Sequence, residues 1–171
     1  MKIEIAPYNP AWKHLFEQEK RLIHQALDPL QKIYVEHIGS TSVEQLHAKP
    51  IVDIMVGLED FSRVDETCLD PMAKIGFVYL PQYNEGMPFR RLFIRGEEKG
   101  FRTCHVHMTQ YQNAFWTRHL FFRDYLRKHP ETRLEYQNLK YKLAQREWSS
   151  GNEYAQAKTA FIRAIEAKME A

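Results

Sequence analysis

Apolar residues recur along the first third of the chain with two different periods. Ile3 and Ile5 alternate and predict a short edge strand over Met1–Ala6, broken by Pro7 and Pro10. Trp12, Leu15, Phe16, Glu19, Leu22, Ile23 and Ala26 fall at spacings of three and four, which predicts a helix from about Ala11 to Leu27. Asn9 is placed to cap it, Pro10 fits its first turn, and Asp28-Pro29 ends it. Glu19 is the one polar residue in that stripe. Tyr34–Ile38 reads as a strand. Thr41-x-x-Glu44 and Ser42-x-x-Gln45 each fit a capping box, so a short helix is expected from Thr41 or Ser42 to about Leu46. Ile51–Leu58 is apolar throughout except for Asp53, the pattern of a central strand buried on both faces.

The middle of the chain predicts a weak helix over Glu59–Lys74, interrupted at Asp70-Pro71, and then a strand around Val78. Phe89–Arg95 and Gly100–Met108 predict a hairpin with its turn at Gly96–Gly100. From Asn113 onward the expectation is helical. One helix spans about Asn113–Lys128, a second runs from Glu131 to about Trp148 with Leu134, Leu139 and Leu143 inward, and a third spans Glu153 to about Met169. There is no repeat and no linker. The whole chain, 1–171, is expected to be one domain with a sheet core at about 30–110 and a helical part at about 111–171.

Composition adds little to this. At 44% hydrophobic and 27% charged residues, the chain has the make-up of a soluble globular protein. No apolar run approaches the ~20 residues that span a bilayer, and the N-terminus lacks a signal-peptide core. A cytoplasmic location with no membrane partner is the expectation. Cys68 and Cys104 are expected as free thiols. Charge distribution says more than the net value of +2. Arg90–Trp148 holds thirteen Lys/Arg against six Asp/Glu, so the second half is basic. That asymmetry suits a phosphate-bearing ligand or a nucleic acid, or simply solvated helix faces.

The candidate chemistry centres on Val35–Ser42 and Lys49–Val56. A Gly39-Ser40 turn between two strands is a natural anion cradle. A lone Asp53 inside an apolar strand is costly unless it has partners. It therefore serves either a metal or hydroxyl chemistry, or caps a nearby loop. His105 and His107, two apart on a strand, project from one face and can share a metal or a phosphate, or divide between core stacking and a local hydrogen bond. Arg123 and Arg127 lie one turn apart and can clamp a phosphate, or pair with Asp124.

The run His37-Ile38-Gly39-Ser40-Thr41-Ser42-Val43, with Leu46 and Ala48–Ile54, resembles the signature of the GrpB-like proteins of the nucleotidyltransferase superfamily. His105-Val106-His107 and Phe122–Arg127 resemble that family's later motifs, and Tyr136-x-x-x-Lys140 and Tyr154-x-x-x-Lys158 also fit. The resemblance covers nearly the whole chain. It implies an α+β fold, a mixed sheet with packed helices and a C-terminal helical layer. It also implies a phosphate-holding Gly-Ser turn facing metal-binding acids, with nucleotidyl transfer as the reaction type. Some relatives occur fused to dephospho-coenzyme A kinase, which associates the family with coenzyme A or nucleotide metabolism.

Asp53 matches the first acid of the superfamily's Asp-x-Asp pair, but Met55 stands at the second. A thioether is a poor Mg²⁺ ligand. The expected site is therefore Asp53, His105 and His107, as catalytic groups and as ligands of one divalent ion (Mn²⁺, Mg²⁺ or Zn²⁺). Gly39, Ser40, Thr41, Lys49, Arg91, Arg123 and Arg127 are the expected phosphate or substrate contacts. Three functions follow as expectations. The first is an enzyme acting on a nucleotide or phosphorylated small molecule. The second is a non-catalytic binder of the same ligand, and the third is an RNA-binding accessory protein.

Overall fold

A computed structural model describes residues 1–97 and 100–170. Its centre is a five-stranded mixed sheet made of β1 (Ile33–Ile38), β2 (Val52–Leu58), β3 (Val78–Tyr79), β4 (Arg90–Arg95) and β5 (Cys104–Gln110). The spatial order is β1-β2-β5-β4-β3. Only the β2–β5 pair is parallel, and it sets Asp53 against His105 and Met55 against His107. The other pairings are antiparallel.

Strand alternation sends Val52, Ile54, Val56 and Leu58 to one face and Asp53 and Met55 to the other. The first face packs against α1 (Ala11–Leu27), α2 (Val64–Thr67) and α3 (Leu69–Lys74), in a core that includes Trp12, Phe16, Ile23, Leu27, Met72 and Val106. Glu19, the polar exception on α1, is buried there and meets Arg95 of β4 at 3.1 Å. On the second face, Met55 and Ile38 pack against Phe115 and Trp116 of α4 (Ala114–Lys128). Met55 is fully buried. The side chain standing at the second acid's place thus stabilises the core, by about 1.5–3 kcal/mol for a residue of its size.

The C-terminal layer continues with α5 (Pro130–Ala144), α6 (Gly151–Gln156) and α7 (Thr159–Glu166), ending in a 3-10 turn at Ala167–Glu170. Val43, Leu46, Leu126 and Tyr136 join the post-β1 loop to α4 and α5. Among the described residues, no helix is long and apolar enough to cross a membrane. Both cysteines are buried free thiols.

Several local expectations are corrected. The N-terminal strand is reduced to a single Ala6–Ala48 bridge. In place of a helix over Thr41–Leu46 there is one 3-10 turn, Ser40–Ser42, because Val43 is already extended and Gln45 sits at φ +67°. The break between α2 and α3 falls at Cys68, and Pro71 lies inside the first turn of α3, where its missing N–H costs nothing. Leu134 is 56% exposed, while Thr132, Tyr136, Lys140 and Leu143 form the buried stripe of α5. The last helix is broken between Gln156 and Thr159, leaving Lys158 at the joint. The hairpin tip at Glu98 and Lys99 lies outside the described residues.

Candidate anion and metal site

The turn after β1 is shaped by Gly39, which adopts φ +71° and ψ −177°, a region essentially reserved for glycine. A Cβ there would stand 2.7 Å from Asp53 Oδ2. Glycine is thus required both by the backbone and by the carboxylate that closes onto it. Ser42 fixes the turn, its N–H and its hydroxyl both donating to the Gly39 carbonyl at 3.1 and 2.5 Å.

Ser40 is the turn's functional side chain. Lys140 Nζ donates to Ser40 Oγ at 3.0 Å and also to the His47 carbonyl. The Tyr136 hydroxyl is held well above the usual phenol range by burial, with Ser40 pulling the other way. Ser40 Oγ is thus engaged from the protein interior by Lys140 and faces the Tyr136 hydroxyl. Lys140 is 2% exposed and none of its hydrogen-bond partners is a carboxylate. Burial pulls its pKa down to about 7, with nearby Lys158 adding to the shift. Lys158 is pulled down to about 8 by burial, partly offset by Asp53. Lys49 is likewise lowered by burial and partly restored by Asp53. Lys140 is bonded to the turn, and Lys49 and Lys158 lie within electrostatic reach of Asp53, a concentration of positive charge that attracts an anion.

Across the turn, parallel pairing of β2 and β5 brings Asp53, His105 and His107 together. Asp53 Oδ1 lies 3.4 Å from His105 Nδ1 and 3.4 Å from His107 Nε2. One ligand atom from each residue falls within 4.8 Å of the other two. Burial alone would raise the Asp53 pKa, but hydrogen bonds and charge from the two histidines outweigh it and hold the carboxyl well below the usual range. His107 is pushed down by burial, against the pull of Asp53. Contacts of 3.4 Å are long for hydrogen bonds. They match the spacing of two ligands about 2.1 Å from a shared ion at a tetrahedral angle. His105 Nε2 is buried without a partner. Two imidazoles and one carboxylate suit Zn²⁺ or Mn²⁺ better than Mg²⁺, which prefers oxygen. The three residues fit one such ion.

Arg90, which the sequence reading left without a role, reaches this cluster with Nη1 3.4 Å from His107 Nδ1. Its neighbour Arg91, expected at the phosphate, points to the opposite face of the sheet and pairs with Asp65 at 2.6 and 2.9 Å. Arg123 and Arg127 do not enter the site either. Arg123 donates to the His37 carbonyl at 3.0 Å and to Glu36 at 2.5 Å, while Arg127 grips the Ser42 carbonyl at 2.7 and 3.2 Å. They strap the turn from behind. Thr41 is buried against His37 Nε2 at 3.0 Å. Gly39, Ser40, Lys49, Asp53, His105 and His107 are brought together. Lys140, Lys158, Tyr136 and Arg90 complete the surroundings without having been assigned roles from the sequence. The signal for the first three was the repeated Tyr-x-x-x-Lys spacing. In both pairs the lysine Nζ lies over the tyrosine ring, at 4.9 Å for Lys140 and 4.4 Å for Lys158.

Comparison with known proteins gives this arrangement relatives. The chain is 39% identical over 165 residues to the UPF0157 protein YqkA of Bacillus subtilis, covering 96% of this chain and 46% of that protein. It therefore spans about half the length of that relative. The crystal structure of the conserved protein GrpB from Enterococcus faecalis superposes with a TM-score of 0.82 at 39% identity, covering 96% of each chain. A cytoplasmic RNA terminal U-transferase superposes with a TM-score of 0.52 at 12% identity, covering 85% of this chain and 41% of that one. At that identity the likeness is one of fold, and the fold is that of a nucleotidyltransferase. The family model described as GrpB protein matches residues 2–168, and the chain belongs to the GrpB family.

Proposed function

We propose that this chain binds the phosphates of a nucleotide or other phosphorylated small molecule on the Gly39-Ser40 turn, beside one divalent ion held by Asp53, His105 and His107, and transfers a nucleotidyl or phosphoryl group. The observation that carries this reading is buried Lys140 bonded to Ser40 Oγ, with Lys158 near enough to act on Lys140, beside a cluster able to hold a cation. A bound divalent ion would polarise a phosphoryl oxygen. In this reading the Ser40 hydroxyl turns its hydrogen to the phosphate, and Lys49, Lys140 and Lys158 offset the charge that builds on it. The oxygen of an incoming hydroxyl forms a bond to phosphorus as the bond to the departing phosphate or pyrophosphate breaks, and its proton passes to solvent; Asp53, held well below the usual carboxylate range, serves as a ligand and not as the base.

Calorimetry with Mn²⁺ and with ATP tests binding. Both ligands should bind the native protein, with Mn²⁺ lost in Asp53→Asn and ATP weakened in Ser40→Ala. Absence of ATP binding sinks the reading. Met55 in the core favours a second reading, a binder of the same ligand without chemistry. The two separate on turnover of labelled nucleoside triphosphate with a metabolite pool that includes coenzyme A precursors. Product that disappears in Asp53→Asn supports the enzyme, while stabilisation by nucleotide without product supports the binder.

A further inference from the structure

Behind the turn lies a cleft of about 720 Å³, between α1, β1 and the start of α5. Asp53, His105 and His107 are not among its walls; Thr41 and Ser42 are. Within the loop after β1, Thr41 and Ser42 face this cleft, while Ser40 is bonded to Lys140. The volume lies within the range of small-molecule sites.

The walls carry five Lys/Arg against three carboxylates. One of those cations, Arg123, is already paired with Glu36. Arg127 spends two donors on the Ser42 carbonyl, keeps only a 3.6 Å contact with Asp124, and leaves 44% of its side chain exposed. Arg133 donates to the Gln45 amide oxygen at 3.1 Å. Gln45 itself sits at φ +67°, a strained position for a residue with a Cβ. His37 lines the cleft as a neutral ring, held down to about 4 by burial and stacked on Phe16 at 4.7 Å. The cleft thus has a buried floor that includes Phe16, His37 and Thr41, and a more exposed polar rim in excess of positive charge.

We propose that this cleft is a second ligand site, for a small hydroxylated organic anion bearing two or more carboxylate or phosphate groups. Lys20, Arg127 and Arg133 supply the donors for the anionic groups. Glu17 and Glu44 accept from the ligand's hydroxyls, which favours an organic anion over an inorganic one. The site stands independently of the phosphate reading at Ser40.

The test uses citrate as the carboxylate probe and fructose 1,6-bisphosphate as the phosphate probe, titrated calorimetrically into the full chain at low, constant ionic strength. Three proteins are compared: native, Ser40→Ala, and the double variant Lys20→Gln/Arg133→Gln, each checked for folding by circular dichroism. At least one probe should bind the native chain at one site, bind Ser40→Ala equally well, and lose tenfold or more in the double variant. Which probe does so identifies the anionic group. Saturable binding by neither probe overturns the proposal. So does binding that survives the double variant and is lost in Ser40→Ala.

Discussion

Gly39 and Asp53 occupy almost the same space, with 2.7 Å left between the carboxylate and any added Cβ. Gly39→Ala should therefore cost stability of about 1–3 kcal/mol from backbone strain, read as a lower urea midpoint. It should also push Asp53 off the two histidines, so Mn²⁺ affinity should fall further than stability does. Arg90 acts on the same cluster from the other side. The Arg90 guanidinium, 3.4 Å from His107 Nδ1, disfavours a proton on that nitrogen and so favours the tautomer with its proton on Nε2, towards Asp53. A metal bound through Nε2 needs that proton moved to Nδ1, beside the Arg90 cation. Arg90→Met should consequently bind Mn²⁺ more tightly than the native protein in calorimetric titration, and unchanged or weaker binding would show that Arg90 does not set this tautomer.

At the scale of elements, α4 holds the turn by its backbone. Arg123 on α4 satisfies the His37 carbonyl and Glu36 together, and Arg127 satisfies the Ser42 carbonyl. Removing Arg123 strands a buried carbonyl and a partly buried carboxylate. Arg123→Ala should cost roughly 2–3 kcal/mol in chemical denaturation. Its effect on ATP binding should exceed that of Arg91→Ala, since Arg91 serves only the far face. This contrast also shows what the sequence could and could not say. Period-two and period-four patterns are local, so β1, β2, β4, β5, α1 and α4 were legible, whereas the meeting of Asp53 with the histidines was not, because it depends on the long-range parallel pairing of β2 with β5. Which face a charged residue takes depends on a single-residue shift along a strand, and this separates Arg90 from Arg91. The burial of Lys140 and exposure of Leu134 invert the usual ranking of those residues. Only the tertiary position of α5 above Ser40 explains it.

For the molecule as a whole, buried bases set the pH response. His37 and His119 both titrate at about 4 when folded, lowered by burial from 6.5. A depressed base binds fewer protons folded than unfolded, so its contribution to stability is lost as pH falls from 6.5 towards 4. Lys140 and Lys158, lowered to about 7 and about 8 from 10.5, act in the same sense at higher pH. Their contribution grows as pH rises above 7. The raised pKa values of buried Cys68 and Cys104 oppose this beyond pH 9. The melting temperature should climb from pH 4 to 6.5, climb again from 7 to 9, and then turn over. Lys140→Met should flatten the second rise while leaving the first intact.

The joint between α6 and α7 has a consequence for how the molecule holds together. Lys158 stands at that joint, between a six-residue helix and an eight-residue one, and Lys140 stands on the helix before it. The loop that Lys140 meets, through Ser40, belongs to the opening quarter of the chain. A polyanion seated there acts as a clasp between the beginning and the end of the polypeptide, and relieves the repulsion of cations that otherwise face one another. Tripolyphosphate should accordingly slow tryptic cleavage within α5–α7 more than within α2–α3. Equal protection of both regions would mean that the clasp does not close.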